Sequence, residues 1–259
     1  MNFKEKLTQI FKNILFYLSV PKCVGCKTRL SISDGPICPE CLREYENVKT
    51  MNCSLCSKQL SECSCSNAYL KKNHIHHLVK IFRYVHRDPI PSNNLIYSLK
   101  RDNRRDVLDF LTDELEKSIR ASVMDPEKCI FTNVPRRQST VRKYGIDHAA
   151  ELSRSVAKRF GAEYRVLLNS KSKRAQKKLS GSERMLNANY SLKKNADSLE
   201  KKAVILVDDI VTTGASMGKC ASLIYTLGPS KIIGAAISIA YKDPYKPFDQ
   251  SDRFLYKKG

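Results

Sequence analysis

The stretch VILVDDIVTTGAS, residues 204–216, contains the features that decide the fold. It opens on four aliphatic residues, which is typical of a strand buried on both faces. Two adjacent carboxylates, Asp208 and Asp209, stand at the carboxyl end of this strand, and a helical pattern begins at residue 215. Ligands of open α/β sheets bind beyond the carboxyl ends of the strands. The stretch therefore predicts an α/β fold with a ligand site at this strand–helix junction.

The residues of the junction suit a phosphorylated sugar. Backbone N–H groups at the start of a helix bind anions, and a glycine lets the backbone approach a phosphate closely. Asp208 and Asp209 would repel a phosphate, but they suit ribose hydroxyls, directly or through a divalent cation. We therefore predict one site for a ribose hydroxyl pair and a 5′-phosphate. Its phosphate-binding part comprises Thr212, Thr213, Gly214, Ala215 and Ser216.

Strand and helix patterns alternate on both sides of this junction. Apolar runs predict strands over 78–84, 129–134, 164–168, 203–207 and 232–240, and apolar stripes predict helices over 104–121, 146–160 and 215–227. Ser92 is predicted to cap a further short helix. Continuous apolar strands between amphipathic helices indicate an open, mostly parallel sheet covered on both faces.

Eight of the ten cysteines lie between residues 23 and 65, in closely spaced pairs. Such pairs can each give two thiolates to one metal ion, so eight thiolates predict two structural zinc sites of four cysteines each. The simplest pairing is sequential, and an interleaved pairing is also open. The alternatives to two zinc ions are one zinc with a degenerate second site, disulfides or an iron–sulfur centre. The sequential sets are Cys23, Cys26, Cys38 and Cys41, followed by Cys53, Cys56, Cys63 and Cys65.

Length and composition exclude several classes of protein. The chain has 259 residues, of which 42% are hydrophobic, and only 10 are glycine and 10 proline. This is enough for a packed domain plus a small module, and it excludes collagen and wholly disordered chains. Each zinc–tetrathiolate centre carries a charge of −2, so two of them would lower the formal net charge from +20 to about +16. The remaining excess favours anionic partners.

Three basic clusters and nearby tyrosines make single-stranded DNA a candidate partner, with a basic surface that serves solubility as the alternative. The first cluster of basic residues comprises Lys100, Arg101, Arg104 and Arg105, and the second comprises Arg136, Arg137, Arg142 and Lys143. The third lies within residues 171–178. The tyrosines are Tyr84, Tyr97 and Tyr144.

The first twenty residues carry apolar side chains at helical spacing and predict an amphipathic helix. This helix would pack on its own domain, and docking onto a membrane surface or a partner is the alternative. The most apolar early stretch, residues 14–20, is far shorter than the roughly 20 residues that a membrane-spanning helix needs. We expect no membrane span, no secretion signal and a cytoplasmic location.

Residues 204–216 resemble the phosphoribosyl pyrophosphate (PRPP) motif of type I phosphoribosyltransferases. The wider layout resembles the ComF family of competence-associated proteins, in which a cysteine-knuckle zinc module precedes a small phosphoribosyltransferase domain. The segments that carry this resemblance include Val134-Pro135 and residues 144–149. The resemblance implies a type I phosphoribosyltransferase fold. After the amphipathic helix over 1–20, we therefore expect a double zinc ribbon over 21–68 and a phosphoribosyltransferase-like domain over 69–259.

The resemblance also implies a ligand and partners. PRPP would bind with Mg²⁺, and the protein would support DNA uptake or single-stranded DNA handling with competence proteins such as a helicase. The alternative is an active transferase with an unidentified base or amine acceptor, for which the sequence reveals no nucleophile. The candidates for pyrophosphate contact, near the site or in a flexible hood over it, are Arg136, Arg137, Lys173, Arg174, Gln176 and Arg184.

Overall fold

The structure is a computed structural model that describes residues 21–31, 34–53, 55–84, 89–170 and 190–240. The predicted amphipathic helix over 1–20 lies outside the described residues. So do the four hood candidates Lys173, Arg174, Gln176 and Arg184.

A five-stranded parallel sheet forms the centre of the molecule. Its strands are β1 (Ile75–Arg83), β2 (Ile130–Asn133), β3 (Glu163–Tyr164), β6 (Ala203–Val211) and β7 (Lys231–Ile239). They lie in the order β1-β7-β6-β2-β3, and each neighbouring pair is parallel. Residues 204–207 of the central strand β6 are all buried, which explains the continuous apolar run there.

Helices cover both faces of this sheet. They are α1 (Pro39–Lys49), α2 (Ala68–Lys72), α3 (Pro91–Arg101), α4 (Arg105–Ser122), α5 (Gln138–Tyr144), α6 (His148–Phe160) and α7 (Ala215–Tyr225), and a short 3₁₀ turn spans Pro126–Lys128. One hydrophobic core joins α1, α3, α4 and α6 to one face. A second core joins α2 and α7 to the other. The predicted open parallel α/β architecture is therefore confirmed.

Two local predictions were wrong. The strand predicted over 164–168 is divided between β3, which pairs with β2, and a two-stranded antiparallel sheet of β4 (Leu168–Ser170) with β5 (Tyr190–Leu192). Ser92 does not cap α3, because the helix starts one residue earlier, at Pro91, with Ile90 as its N-cap. Proline suits a first helical position, since its missing N–H would have no intrahelical acceptor there.

The cysteine-rich segment, residues 21–68, contributes to both cores. Cys23, Val24 and Tyr45 belong to the core on the α4 face, and Cys53 and Leu60 belong to the core on the α7 face. Tyr45 is fully buried and donates a hydrogen bond of 3.2 Å to the buried carboxylate of Glu114 in α4. The boundary predicted after residue 68 stays a prediction, but the segment packs directly on the sheet and its helices.

The same segment covers the outer edge of strand β1. The backbone N–H of Leu78 donates to the carbonyl of Ser64 at 2.9 Å, and the hydroxyl of Ser66 donates to the carbonyl of Ile75 at 2.8 Å. Unpaired edge strands are templates for association with other chains, and these bonds occupy part of this one. Within the described ranges, no helix combines the length and apolar character needed to cross a bilayer.

Candidate functional site

The end of β6 directs its two carboxylates to opposite faces of the sheet. Successive side chains of a strand alternate between faces, and Leu206 and Val207 belong to different cores. Asp209 accordingly lies on the α4 side, where its nearest partners are cations. Asp208 lies on the α7 side, next to the loop that enters α7. The two adjacent acids therefore occupy different environments.

Asp209 is buried and bound to two cations. Its carboxylate forms an ion pair of 3.1 Å with the Nζ atom of Lys100 and a second ion pair with Arg136, and it also accepts the backbone N–H of Ile210 at 2.7 Å. Burial alone would raise the pKa of Asp209. The charges of Lys100 and Arg136 outweigh burial and hold this pKa below its usual range, so the group stays ionised.

Asp208 is half-buried and has a different electrostatic environment. Its Oδ1 atom accepts the backbone N–H of Asp209 at 2.8 Å. Burial and the negative charge of Asp209 raise the pKa of Asp208 above its usual range. A bound cation would reverse this tendency, because a nearby positive charge favours the ionised carboxylate.

The loop after β6 presents hydroxyls and a helix N-terminus at the carboxyl edge of the sheet. Thr212 and Thr213 are exposed, and Gly214 adopts φ 80° and ψ 0° as the N-cap of α7. The Oγ1 atom of Thr213 accepts the N–H of Ala215 at 3.3 Å. Ser216 interacts through its side chain with Tyr190 of β5. This arrangement can receive an anion, since helix N-termini combine free N–H groups with a favourable dipole.

Residues that closely follow Cys65 contact this loop and the helix after it. The side-chain amide of Asn67 donates to the carbonyl of Thr213 at 3.3 Å. A Cβ atom built on Gly214 would lie 2.9 Å from Cγ of Leu70, so the absence of a side chain permits this contact. Further along α7, Ser222 donates to the side chain of Asn73 at 2.7 Å. Helix α2 and its flanking residues therefore support both the loop at residues 212–214 and α7.

The segment after β2 completes the site on the α4 side. The backbone N–H of Arg136 donates to Asp147 at 3.0 Å, and Asp147 also caps α6 by accepting the N–H of Ala150 at 3.2 Å. His148 is buried beside them, and its Nε2 atom lies 2.7 Å from Oδ1 of Asn103. Burial and the charge of Arg136 lower the pKa of His148 to about 4, so the ring is neutral at pH 7.

The structure brings most of the described candidates together. Arg136 forms an ion pair with Asp209, and the charge of Arg137 acts on Tyr190 of β5. Lys100 was predicted as part of a nucleic-acid surface, yet it contacts Asp209. No local sequence pattern indicates this role, because the contact joins residues more than one hundred positions apart.

The eight clustered cysteines form two compact groups of thiols. The sulfurs lie within 4.8 Å of one another in each group, and the groups follow the sequential pairing. The first cluster is Cys23, Cys26, Cys38 and Cys41, and the second cluster is Cys53, Cys56, Cys63 and Cys65. The donor set fits zinc, because tetrahedral sites of four thiolates are typical of structural zinc. The two groups could therefore hold two zinc ions.

Comparison with known proteins bears on the carboxyl-terminal part of the chain. Residues 144–258 match the family model described as the phosphoribosyl transferase domain. The comparison with curated proteins finds no match.

Solved structures of several phosphoribosyl enzymes are similar at low identity. A purine phosphoribosyltransferase from Pyrococcus horikoshii has 13% identity and a TM-score of 0.34, over 54% of this chain and 89% of that chain. A glutamine PRPP amidotransferase from B. subtilis has 16% identity and a TM-score of 0.36, over 54% of this chain and 30% of that one. A hypoxanthine phosphoribosyltransferase from Staphylococcus aureus has 11% identity and a TM-score of 0.33, over 54% and 75%.

The matched range contains α6, β6, the loop at residues 212–214, α7 and β7, which together carry the acids and the helix N-terminus described above. The chain thus has a type I phosphoribosyltransferase fold preceded by a cysteine-rich module with two four-cysteine groups, and its residues 144–258 match a phosphoribosyl transferase domain.

Proposed function

We propose that this chain is a ComF-like protein whose site at the carboxyl end of β6 binds PRPP. The observation that carries the proposal is the junction itself. Two acids lie near the carboxyl end of a buried strand, and an exposed threonine pair leads through a glycine with positive φ into α7. A plain strand–helix turn does not require adjacent carboxylates beside an anion-binding helix end.

Each part of the site then has a role in binding. The N–H groups at the start of α7 and the hydroxyls of Thr212, Thr213 and Ser216 hold the 5′-phosphate. Asp208 and Asp209 bind the ribose hydroxyls. Arg136, which already lies at the carboxyl end of β2, supplies positive charge toward the pyrophosphate. Arg137 is a second candidate for that contact.

We include Mg²⁺ in the proposal because of the carboxylates. Mg²⁺ binds through one or two carboxylates together with phosphate oxygens of a substrate. Asp208 fits this role better than Asp209, since Asp209 already faces two cations while Asp208 faces none in the described contacts. When bound, Mg²⁺ would neutralise charge on the pyrophosphate.

Calorimetric titration with PRPP, with and without Mg²⁺, tests the binding proposal. Asp208→Asn should weaken binding in the presence of Mg²⁺ by about tenfold, because a charge-assisted contact contributes roughly 1.5–3 kcal/mol. Asp197→Asn is the matched control, since Asp197 is an exposed acid outside the site. Absence of PRPP binding to the folded wild-type chain would overturn the proposal.

The proposal has two forms. In one, PRPP is bound without turnover, and in the other its phosphoribosyl group is transferred to an acceptor. Transfer needs a nucleophile, and within the described residues we identify no side chain that is placed to activate one. We therefore favour binding without turnover, with an active transferase as the alternative. Release of pyrophosphate from PRPP on addition of candidate bases or amines would establish the transferase.

We also propose that the protein acts in the cytoplasm in DNA uptake or single-stranded DNA handling, with a competence helicase as a candidate partner. The basic residues that support this are fewer than the sequence suggests, because Lys100 and Arg136 bind Asp209 and Arg104 pairs with Asp106. Arg142 and Lys143 of α5 are exposed, and Arg101 lies over the ring of Tyr97.

Binding to single-stranded DNA at several salt concentrations tests this second part. Neutralised phosphates release counterions, so affinity should fall steeply as salt rises. The double change Arg142→Glu and Lys143→Glu should weaken binding for all sequences alike, while Lys128→Glu, an exposed lysine beyond the opposite end of β2, should not. A flat salt dependence would remove DNA from the proposal.

A further inference from the structure

Lys80 is a fully buried lysine in the middle of strand β1. Its side chain reaches the second cluster, where the Nζ atom donates to the carbonyls of Cys63 at 2.8 Å and Cys65 at 3.0 Å. It also lies 3.2 Å from the Sγ atom of Cys63 and 3.3 Å from the carbonyl of Leu78. All the acceptors of this ammonium group therefore belong to the second cluster or to β1 itself.

A buried ammonium group needs a negative charge nearby. Moving an unpaired cation out of water costs several kcal/mol even after relaxation. Within the described residues, no Asp or Glu forms an ion pair with Lys80. The Cys63 sulfur is the one contact of Nζ that can carry a full negative charge. The burial of Lys80 is thus explained if Cys63 is a thiolate, as it is when it binds a metal.

The first cluster also has a cation nearby, Arg104, which interacts electrostatically with Cys23. Arg104 pairs with Asp106 and donates to the carbonyl of Lys22 at 3.0 Å rather than to a sulfur. The sulfurs of the first cluster interact with the hydroxyl of Thr28, 3.0 Å from Cys26, and with the backbone N–H of Cys38, 3.3 Å from Cys23. In the described part of the chain, no lysine or arginine nitrogen forms a hydrogen bond to any of its four sulfurs. Each cluster thus has four thiols of its own, and only the second has an ammonium group that donates to one of its sulfurs among the described residues.

We propose that Lys80 is the resident counter-ion of the second cluster and makes the two metal centres unequal. A zinc ion with four thiolates carries a charge of −2. The positive charge of the ammonium group changes the local net charge to −1. Donation to Cys63 also stabilises the bound thiolate. Lys80 is therefore a positioning residue of the second centre, which holds its zinc more tightly than the first.

The test compares zinc loss from the purified, metal-loaded chain. A chelator and a zinc-sensitive dye follow the release of both equivalents, and trapping of free thiols followed by mass spectrometry assigns each phase to a cluster. Lys80→Met should accelerate release from the second cluster by about tenfold or more, as is common when a partner of a metal ligand is removed. Release from the first cluster should keep its wild-type rate.

Lys58→Met is the matched control, because Lys58 is exposed and lies within the second cluster's sequence. It should leave both rates unchanged. An unchanged rate at the second cluster in Lys80→Met, or an equal acceleration at both clusters, overturns the proposal. Lys80→Arg, which keeps the charge, should retain slower release than Lys80→Gln.

The wild-type chain provides a test that does not depend on folding of any variant. Partial removal of zinc should expose Cys26 to alkylation before Cys56, although both are exposed cysteines in equivalent positions of their clusters. Earlier or equal modification of Cys56 contradicts the proposal. This readout involves no PRPP, so it is independent of the proposed function.

Discussion

Asp209 links the candidate ligand site to the stability of the fold. Its side chain is only 8% exposed, and the two cations that neutralise it come from α3 and from the segment after β2. Removing one member of such a group leaves the others buried without compensation. Asp209 is therefore a buried polar residue whose charge is balanced within the fold.

Asp209→Asn should therefore affect two measurements. We expect PRPP affinity to fall by about tenfold or more in calorimetry, because a charge-assisted hydrogen bond is lost. We also expect the free energy of unfolding in urea to fall by about 2–3 kcal/mol, because Lys100 and Arg136 lose their counter-charge. A double change with Lys100→Met should recover part of the lost stability. Unchanged stability in Asp209→Asn would contradict the ion-pair description.

His148 should make stability depend on pH. Its Nδ1 atom is buried without a hydrogen-bond partner among the described residues, so protonation would create a buried cation beside Arg136. Its folded pKa, about 4, lies below the ordinary value of 6.5. The unfolded chain thus binds the proton more readily, and stability is lost as pH falls from about 6.5 toward 4.

The measurement is the free energy of unfolding at pH 7 and pH 5, for the wild type and for His148→Gln. The wild type should lose about 2 kcal/mol more than the variant over this interval, since each pKa unit corresponds to roughly 1.4 kcal/mol. Equal pH dependence in the two proteins would mean that His148 is protonated without penalty.

At the scale of elements, the strand–loop–helix junction depends on Gly214. The glycine has a positive φ, and a Cβ atom there would meet Leu70 of α2. Both constraints arise at one position, and the second comes from α2, which directly follows the second cluster. The sequence indicated that Gly214 lets a phosphate approach, whereas the structure adds that it lets α2 approach.

Gly214→Ala should lower the free energy of unfolding by about 2–5 kcal/mol, from backbone strain and overpacking together. Gly145→Ala separates the two causes, because Gly145 has a similar φ of 83° but nothing within 4 Å of the position that a Cβ atom would take. That control should lose only about 1–2 kcal/mol. Equal losses in urea unfolding would show that the contact with Leu70 contributes nothing.

The elements that the sequence predicted correctly are those with a strong apolar period. Strand β6 and helices α4, α6 and α7 all bury one or both faces, and burial is what the pattern records. Helix α5 was missed because none of its residues is buried. Strand β1 was predicted to start at Leu78 rather than Ile75, because His76 and His77 interrupt its apolar run. Contacts between distant residues, such as Lys100 with Asp209, leave no local pattern.

At the scale of the whole molecule, the two clusters support opposite faces of one sheet. The backbone carbonyl of Gly25, beside the first cluster, accepts a bond of 3.2 Å from Asn94 of α3, the helix that carries Lys100. The second cluster is followed directly by Asn67 and Leu70, which brace the loop before α7. The cysteine-rich segment thus contacts α3, which carries the Lys100 partner of Asp209, and also the loop that precedes α7.

Metal content is the simplest measurement at this scale. Elemental analysis of chain purified without added metal should find about two zinc ions per molecule, because each four-thiol group forms a complete tetrahedral shell. Cys26→Ser should remove one of them and destabilise residues around the first cluster, since bound zinc supplies folding energy to such small units. Iron with a visible absorption band would contradict the zinc assignment.

The bonds from Ser64 and Ser66 to strand β1 have a consequence for solubility. Loss of metal from the second cluster would free this part of the chain and uncover the strand's outer N–H and C=O groups, next to apolar residues such as Ile81 and Phe82. Such a strand can pair with the same strand of another molecule. A zinc-depleted population would therefore accumulate as β-rich aggregates rather than as monomeric unfolded chains, at a rate that rises with protein concentration.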